Sequence, residues 1–162
     1  MNFEIRSAAF FGLAIWALGA AAMAQNPVVT DKDAVRSAEV KKALADPALV
    51  DAGKKSFAKC QACHMVGDNA QRRVGPPLNG IVGHAAGSAE GFPYSPGMRK
   101  AKGEGLFWTV EKLDGFLKTP REIVPGTIMA FPGVSSEDER KALIAYLASY
   151  QPDGSVSTEP PK

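Results

Sequence analysis

At 162 residues the chain has room for one domain with a modest core, and no linker divides it into two hydrophobic halves. A formal net charge of +2, with no dense basic block interleaved with aromatics, gives no footing for nucleic-acid binding. Two cysteines three residues apart, Cys60 and Cys63, are poor staples, because closing so short a loop removes little chain entropy.

In chain order, the first 24 residues read as a secretory signal. Arg6 gives a weak positive start, diluted by Glu4; Ala8 to Ala22 is apolar and small; Ala22-Met23-Ala24 fits a cleavage site. The expected mature start is Gln25, and the expected destination is the periplasm. The competing reading is an uncleaved anchor, but the run falls short of the ~20 residues that span a bilayer comfortably. Residues 25–49 form an N-terminal extension. Within it Asp33 to Asp46 has helical composition, with Val35, Ala38 and Leu44 to one side, and reads as a helix separate from the main domain.

Val50 to Lys59 reads as a helix leading into the cysteines, and Gly67 to Gly91 as loop. Ser95-Pro96 starts a short helix that Gly103 and Gly105 stop. Thr109 caps another, which carries Leu113, Phe116 and Leu117 and ends before Pro120; Pro120 to Gly133 is loop. Ser136-Glu137-Asp138-Glu139 is a capping box for the last helix, whose apolar stripe is Leu143, Tyr146, Leu147 and Tyr150. Residues 152–162 are polar and proline-containing and read as a disordered tail. No strand alternation is evident, so the fold class is all-α with long loops. Such loops are unusual in a compact domain unless they serve a site, and a large buried prosthetic group would supply the missing core.

Cys60-Gln61-Ala62-Cys63-His64 is the attachment signature of c-type haem. Two thiols about one helical turn apart reach the two vinyl groups on one porphyrin edge, and the following imidazole lies under the ring. A thioredoxin-like dithiol would need a βαβ context, and a zinc site would need four ligands where His84 is the only other histidine. The imidazole of His64 needs an acceptor for its second nitrogen, and the rigid turn Gly75-Pro76-Pro77-Leu78 offers the Pro76 carbonyl. The sixth iron position commonly takes a methionine. Met65 adjoins His64 and cannot readily reach the opposite face. Met98 lies in a helix and could be core, while Met129 lies in the proline-stiffened Val124-Pro125-Gly126-Thr127-Ile128-Met129.

An ordered set of segments carries a resemblance. Gly53-Lys54-Lys55-Ser56-Phe57, Cys60 to His64, Gly75-Pro76-Pro77-Leu78-Asn79-Gly80, Gly91-Phe92-Pro93-Tyr94-Ser95-Pro96, Trp108, Pro125 to Met129 and Leu143-Ile144-Ala145-Tyr146-Leu147 resemble the class I cytochromes c, over about residues 50 to 150. The resemblance implies a class I cytochrome c fold of three to five helices around one haem, over a domain at 50–151. Its terminal helices would cross near Gly53, approaching the face of Leu143 and Leu147. It implies thioethers to Cys60 and Cys63, iron ligation by His64 and Met129, and the Pro76 carbonyl on His64. It also implies Tyr94 and Trp108 near a haem propionate, and Thr127 holding the methionine loop closed. Two positions depart from the pattern. His84 stands where many relatives carry an arginine near a propionate, and Phe116 where many carry a tyrosine near the methionine sulfur.

The expected function is one-electron transport in a respiratory or related chain, by a monomer that is not an enzyme. It would shuttle between larger redox complexes, in the membrane or the periplasm, and would not bind nucleic acid. Lys59, Arg72, Arg73, Lys100, Lys102 and Lys118 are the candidates for a positive docking rim around the haem edge. Two other readings are a haem enzyme or sensor with an open sixth position, and a dedicated subunit of one dehydrogenase or oxidase docked through residues 25–49 or the tail.

Overall fold

The computed structural model describes residues 31–158. The leader read over residues 1–24, and the last four residues of the expected tail, lie outside the described residues. Six α-helices follow in order: α1 (Asp31–Ala43), α2 (Ala48–Ser56), α3 (Pro96–Gly103), α4 (Val110–Lys118), α5 (Pro120–Ile123) and α6 (Glu137–Ala148); a 3-10 turn, Phe57–Lys59, extends α2. Five of the α-helices fall within 50–151 or overlap it. Among the described residues there is no extended strand, only isolated bridges at Ala85–Phe107 and Tyr150–Val156.

The helix starts follow from local chemistry. Ser95, Thr109 and Ser136 each accept a hydrogen bond from the amide three residues on, at Met98, Lys112 and Glu139. Each satisfies one of the orphan amides that every helix leaves at its N-terminus. Pro120 opens α5 at a position where its missing N–H costs nothing, so the segment expected as loop from Pro120 contains one helical turn.

The frame of the domain is the crossing of α2 and α6, the most extensive helix pair. Gly53 makes it possible: a Cβ there would lie 2.0 Å from the Ala142 carbonyl oxygen and 2.7 Å from Tyr146 Cβ. The approach is thus to Ala142 and Tyr146 rather than to the Leu143 and Leu147 face. Phe57 stacks at a tilt on Tyr146, with ring centroids 5.2 Å apart.

α6 is buried from Ala142 to Ala148 without a break, so one apolar stripe understates it. The reason is that α2, α4 and α1 all pack on it. Even Arg140 is buried, at 4% exposure. Its guanidinium donates to both Asp114 carboxylate oxygens (2.7 and 3.3 Å) and to the carbonyls of Val134 (3.0 Å) and Ser135 (2.8 Å).

Two segments expected to stand apart are part of the fold. α1 is docked: Val40 and Leu44 are fully buried in the common core, and α1 touches α4 and α6. The tail folds back at least to Ser157, whose amide donates to the Ser149 carbonyl (2.8 Å), while Gln151 N donates to Ser155 O (2.8 Å). Pro152 covers Gly80, and Gly154 lies against the Gly67 carbonyl. The two ends meet where Arg36 donates to Gln151 Oε1 (3.3 Å).

Candidate haem site

The cysteine segment leaves α2 through the 3-10 turn, with the amides of Cys63 (3.0 Å) and His64 (2.9 Å) donating to the Cys60 carbonyl. Cys60 and Cys63 are both half-buried and not joined to each other. Burial pushes the Cys60 thiol up, with Lys59 opposing. Two separate thiols on one turn suit two thioether links, not a disulfide.

The His64 imidazole is fixed from two directions. Its Nδ1 lies 2.8 Å from the Pro76 carbonyl oxygen, which can only accept, so Nδ1 carries the proton and donates. The lone pair is therefore on Nε2 and available to a metal. Gly75 packs against the ring itself: a Cβ there would lie 2.2 Å from His64 Cε1 and 2.7 Å from Nε2. Burial lowers the imidazole below its ordinary value, with the Pro76 bond working the other way. Burial thus favours the neutral form, which is the form that ligates.

The Gly75–Pro76 turn is held by the backbone around it. Gly75 N donates to Cys63 O (2.8 Å) and Leu78 N to Met65 O (2.9 Å). The Asn79 amide side chain pairs both ways with Gly67, at 2.8 and 2.9 Å. Gly75 and Asn79 have clear structural roles that the sequence reading did not assign. A glycine before a Pro-Pro pair was the available signal for the first; a loop asparagine offered none for the second.

The methionine loop is pinned at several points. Thr127 N donates to Val124 O (3.0 Å), and Met129 N donates to Thr127 Oγ1 (3.2 Å). At its near end, a Cβ on Gly97 would lie 2.0 Å from the Pro125 carbonyl oxygen, so the loop rests directly on the start of α3. Met129 is half-buried against the core, whereas Met98 is 9% exposed and belongs to the core itself. Met65 is committed to the turn beside His64.

Trp108 is 4% exposed and tilted on Phe116 at 4.8 Å; its indole N–H donates to no described residue, and the nitrogen is not fully sealed from solvent. Tyr94 accepts from Ala89 N (3.1 Å), which leaves its own hydroxyl proton free to donate. Burial raises the Tyr94 phenol above its ordinary value, keeping it protonated. Leu78, Ile81, Ile123, Met129 and Phe131 add apolar side chains that pack against the core and are only partly buried.

The chemistry of this set suits a haem: two thiols, one oriented imidazole, one loop thioether, an indole donor without a protein acceptor among the described residues, and partly exposed apolar side chains. Such a set defines a covalent haem site in an all-α protein. Comparison with known proteins gives the same class. The cytochrome c family model matches residues 50–151. The cytochrome c2 of Agrobacterium tumefaciens (strain II Chrys) is 47% identical over 95 residues, covering 59% of this chain and 86% of that protein. The cytochrome c-550 of Nitrobacter winogradskyi is 40% identical over 110 residues, covering 68% and 98%. Among solved structures, cytochrome c2 from Rhodospirillum centenum aligns with a TM-score of 0.59 at 37% identity, covering 66% of this chain and 99% of that one.

The chain belongs to the cytochrome c family. It is a mono-haem cytochrome with one haem c attached through Cys60 and Cys63, and its role is electron transfer.

The expected positive rim is only partly free. Lys59 pairs with Glu139 (2.6 Å) and Lys100 with Glu104. Arg72 donates to the Gly91 carbonyl (3.1 Å) and Arg73 to the Gln61 carbonyl (2.8 Å), inside the haem motif. Lys102 and Lys118 are exposed.

Proposed function

We propose that the chain is a periplasmic, monomeric, non-enzymatic carrier that takes one electron from one redox complex and delivers it to another. When bound, the haem supplies a one-electron couple at its iron. His64 Nε2 and the Met129 thioether would hold that iron, and Tyr94 and Trp108 would donate to its propionates. The observation that carries the reading is the fixed His64 tautomer, Nδ1 on the Pro76 carbonyl at 2.8 Å. A proton on Nδ1 commits Nε2 to metal ligation and orients the ring in both oxidation states.

With His64 and Met129 both bound to it, the iron would have no open position for substrate, and the same donors would serve both oxidation states with little rearrangement. A sulfur ligand favours the reduced state and raises the potential. Arg72, Arg73, Lys102 and Lys118 supply the positive rim, with the two arginines held in place by backbone carbonyls. A rim of this kind gives fast, weak, salt-sensitive docking.

The dedicated-subunit reading loses support, because Val40 of α1 and Leu44 just after it are spent on the protein's own core, which leaves Val35 as the exposed large apolar residue of that segment. Visible and near-infrared spectra of the haem-loaded protein, oxidised and reduced, test the axial assignment. Low-spin ferric haem with a sulfur-to-iron band, and reduced protein that does not bind carbon monoxide, is the expected result. High-spin ferric haem with ready carbon monoxide binding would favour an enzyme or sensor instead.

A further inference from the structure

α1 lies outside the segment that matches the cytochrome c family, residues 50–151. Its contacts nevertheless converge on the backbone that carries Trp108. Residues 83–86 and 106–108 form a short antiparallel ladder. Gly83 N donates to Trp108 O (2.8 Å), Trp108 N to His84 O (2.8 Å), and Ala86 N to Leu106 O (2.7 Å). α1 lies directly on the first rung: a Cβ on Gly83 would lie 2.4 Å from Arg36 Cα. One turn further along α1, Glu39 Oε2 accepts from Val110 N (2.6 Å), two residues past Trp108.

That carboxylate occupies an unusual place. It sits at the N-terminus of α4, where the helix dipole favours negative charge and the first amides lack intrahelical partners. Thr109 serves the Lys112 amide from within α4, and Glu39 serves Val110 from another helix. The Trp108 backbone is thus held on one side by a ladder pressed against Arg36, and on the other by a carboxylate from the same helix.

We infer that α1 is a positioning element for the haem pocket, and that Glu39 acts through Trp108, setting where its indole N–H stands relative to a haem propionate. This rests on the reading of Trp108 as a propionate donor. An indole N–H without an acceptor among the described residues is what gives the position of this backbone a chemical consequence. A propionate near a hydrogen-bond donor is more readily held ionised, and its charge bears on the reduction potential of the iron.

The test is a double-mutant cycle on the haem-loaded full-length protein, read by reduction potential. Trp108→Phe removes the donor, and the potential should shift. Glu39→Ala should shift it in the same direction by a smaller amount. In the Trp108→Phe background, Glu39→Ala should add nothing. Glu39→Gln, which keeps an acceptor for Val110 N, should restore most of the wild-type value. Lys42→Ala, which removes the exposed pair with Glu111 between the same two helices, should leave the potential unchanged. A Trp108→Phe variant with the wild-type potential would overturn the reading of Trp108 and the inference with it. A shift for Trp108→Phe with none for Glu39→Ala, or full additivity of the two, would overturn the inference alone.

Discussion

The Nδ1 of His64 and the carbonyl oxygen of Pro76 are 2.8 Å apart, twelve residues from each other in sequence and on opposite sides of a turn whose floor is Gly75. The imidazole has no freedom to rotate without losing that bond or striking the Gly75 backbone. Orientation of the proximal donor is therefore a property of the protein, set before any ligand arrives.

Gly75→Ala should displace the ring. The new methyl would sit within 2.2 Å of the imidazole, and neither the ring nor the turn can yield freely. Overpacking of this kind costs about 1–3 kcal/mol, with further loss from the broken His64–Pro76 bond. The expected outcome is a lower yield of haem-loaded protein and a lower unfolding midpoint in denaturant.

Met129 and Met98 should respond differently to truncation. Met129→Ala should abolish the sulfur-to-iron band, admit carbon monoxide to the reduced protein and lower the potential. Met98→Ala should leave all three unchanged while costing about 2–5 kcal/mol of stability, because Met98 is a core side chain. Spectra and denaturation curves of the two variants separate the roles.

Truncation after Gln151 should destabilise the protein. It removes the Ser157–Ser149 and Gln151–Ser155 backbone bonds and uncovers Gly80 beneath Pro152. The expected loss is about 1–3 kcal/mol by thermal or denaturant unfolding. A tail that was disordered throughout would leave the midpoint unmoved.

Acid should weaken the fold through α6. The Lys59 ammonium donates to Glu139 and holds its carboxyl below the ordinary value of 4.5; Lys141 does the same for Glu137. Stability from these carboxylates is complete above the unfolded-state value and is lost as pH falls through the lower folded-state value. Unfolding midpoints measured against pH should therefore drop below about pH 4.5, and less steeply in Glu139→Gln. Glu137 is exposed and Glu139 partly so, and added salt should shrink the difference between the proteins.

Charge on the docking rim should matter unequally. Lys102→Glu and Lys118→Glu should slow association with an anionic redox partner several-fold at low ionic strength and much less at high. Lys100→Glu should disturb Glu104 as well, because the two are paired at the C-terminal end of α3, where Glu104 is the cap. Stopped-flow electron transfer at two salt concentrations distinguishes steering from mere surface charge.

Much of this protein is legible in its sequence because the deciding interactions are local. The haem motif spans five residues, and its spacing is its chemistry. The caps at Ser95, Thr109 and Ser136 act over three residues, so each could be read before any packing was known. The Pro76 carbonyl was accessible to the same reasoning, since a rigid turn close in sequence must present its carbonyl somewhere near. What tertiary structure alone decided depends on contacts between distant residues. Composition made α1 a helix, but only Val40 and Leu44 entering the common core made it part of the domain. Polarity made the tail look free, but Pro152 on Gly80 and Ser157 on Ser149 fold it back. A single stripe described α6 until three helices covered it on several sides. Glu39 carries no signal in its own sequence neighbourhood: its partner, the Val110 amide, is 71 residues away, and only the docked helix brings a carboxylate to that orphan donor.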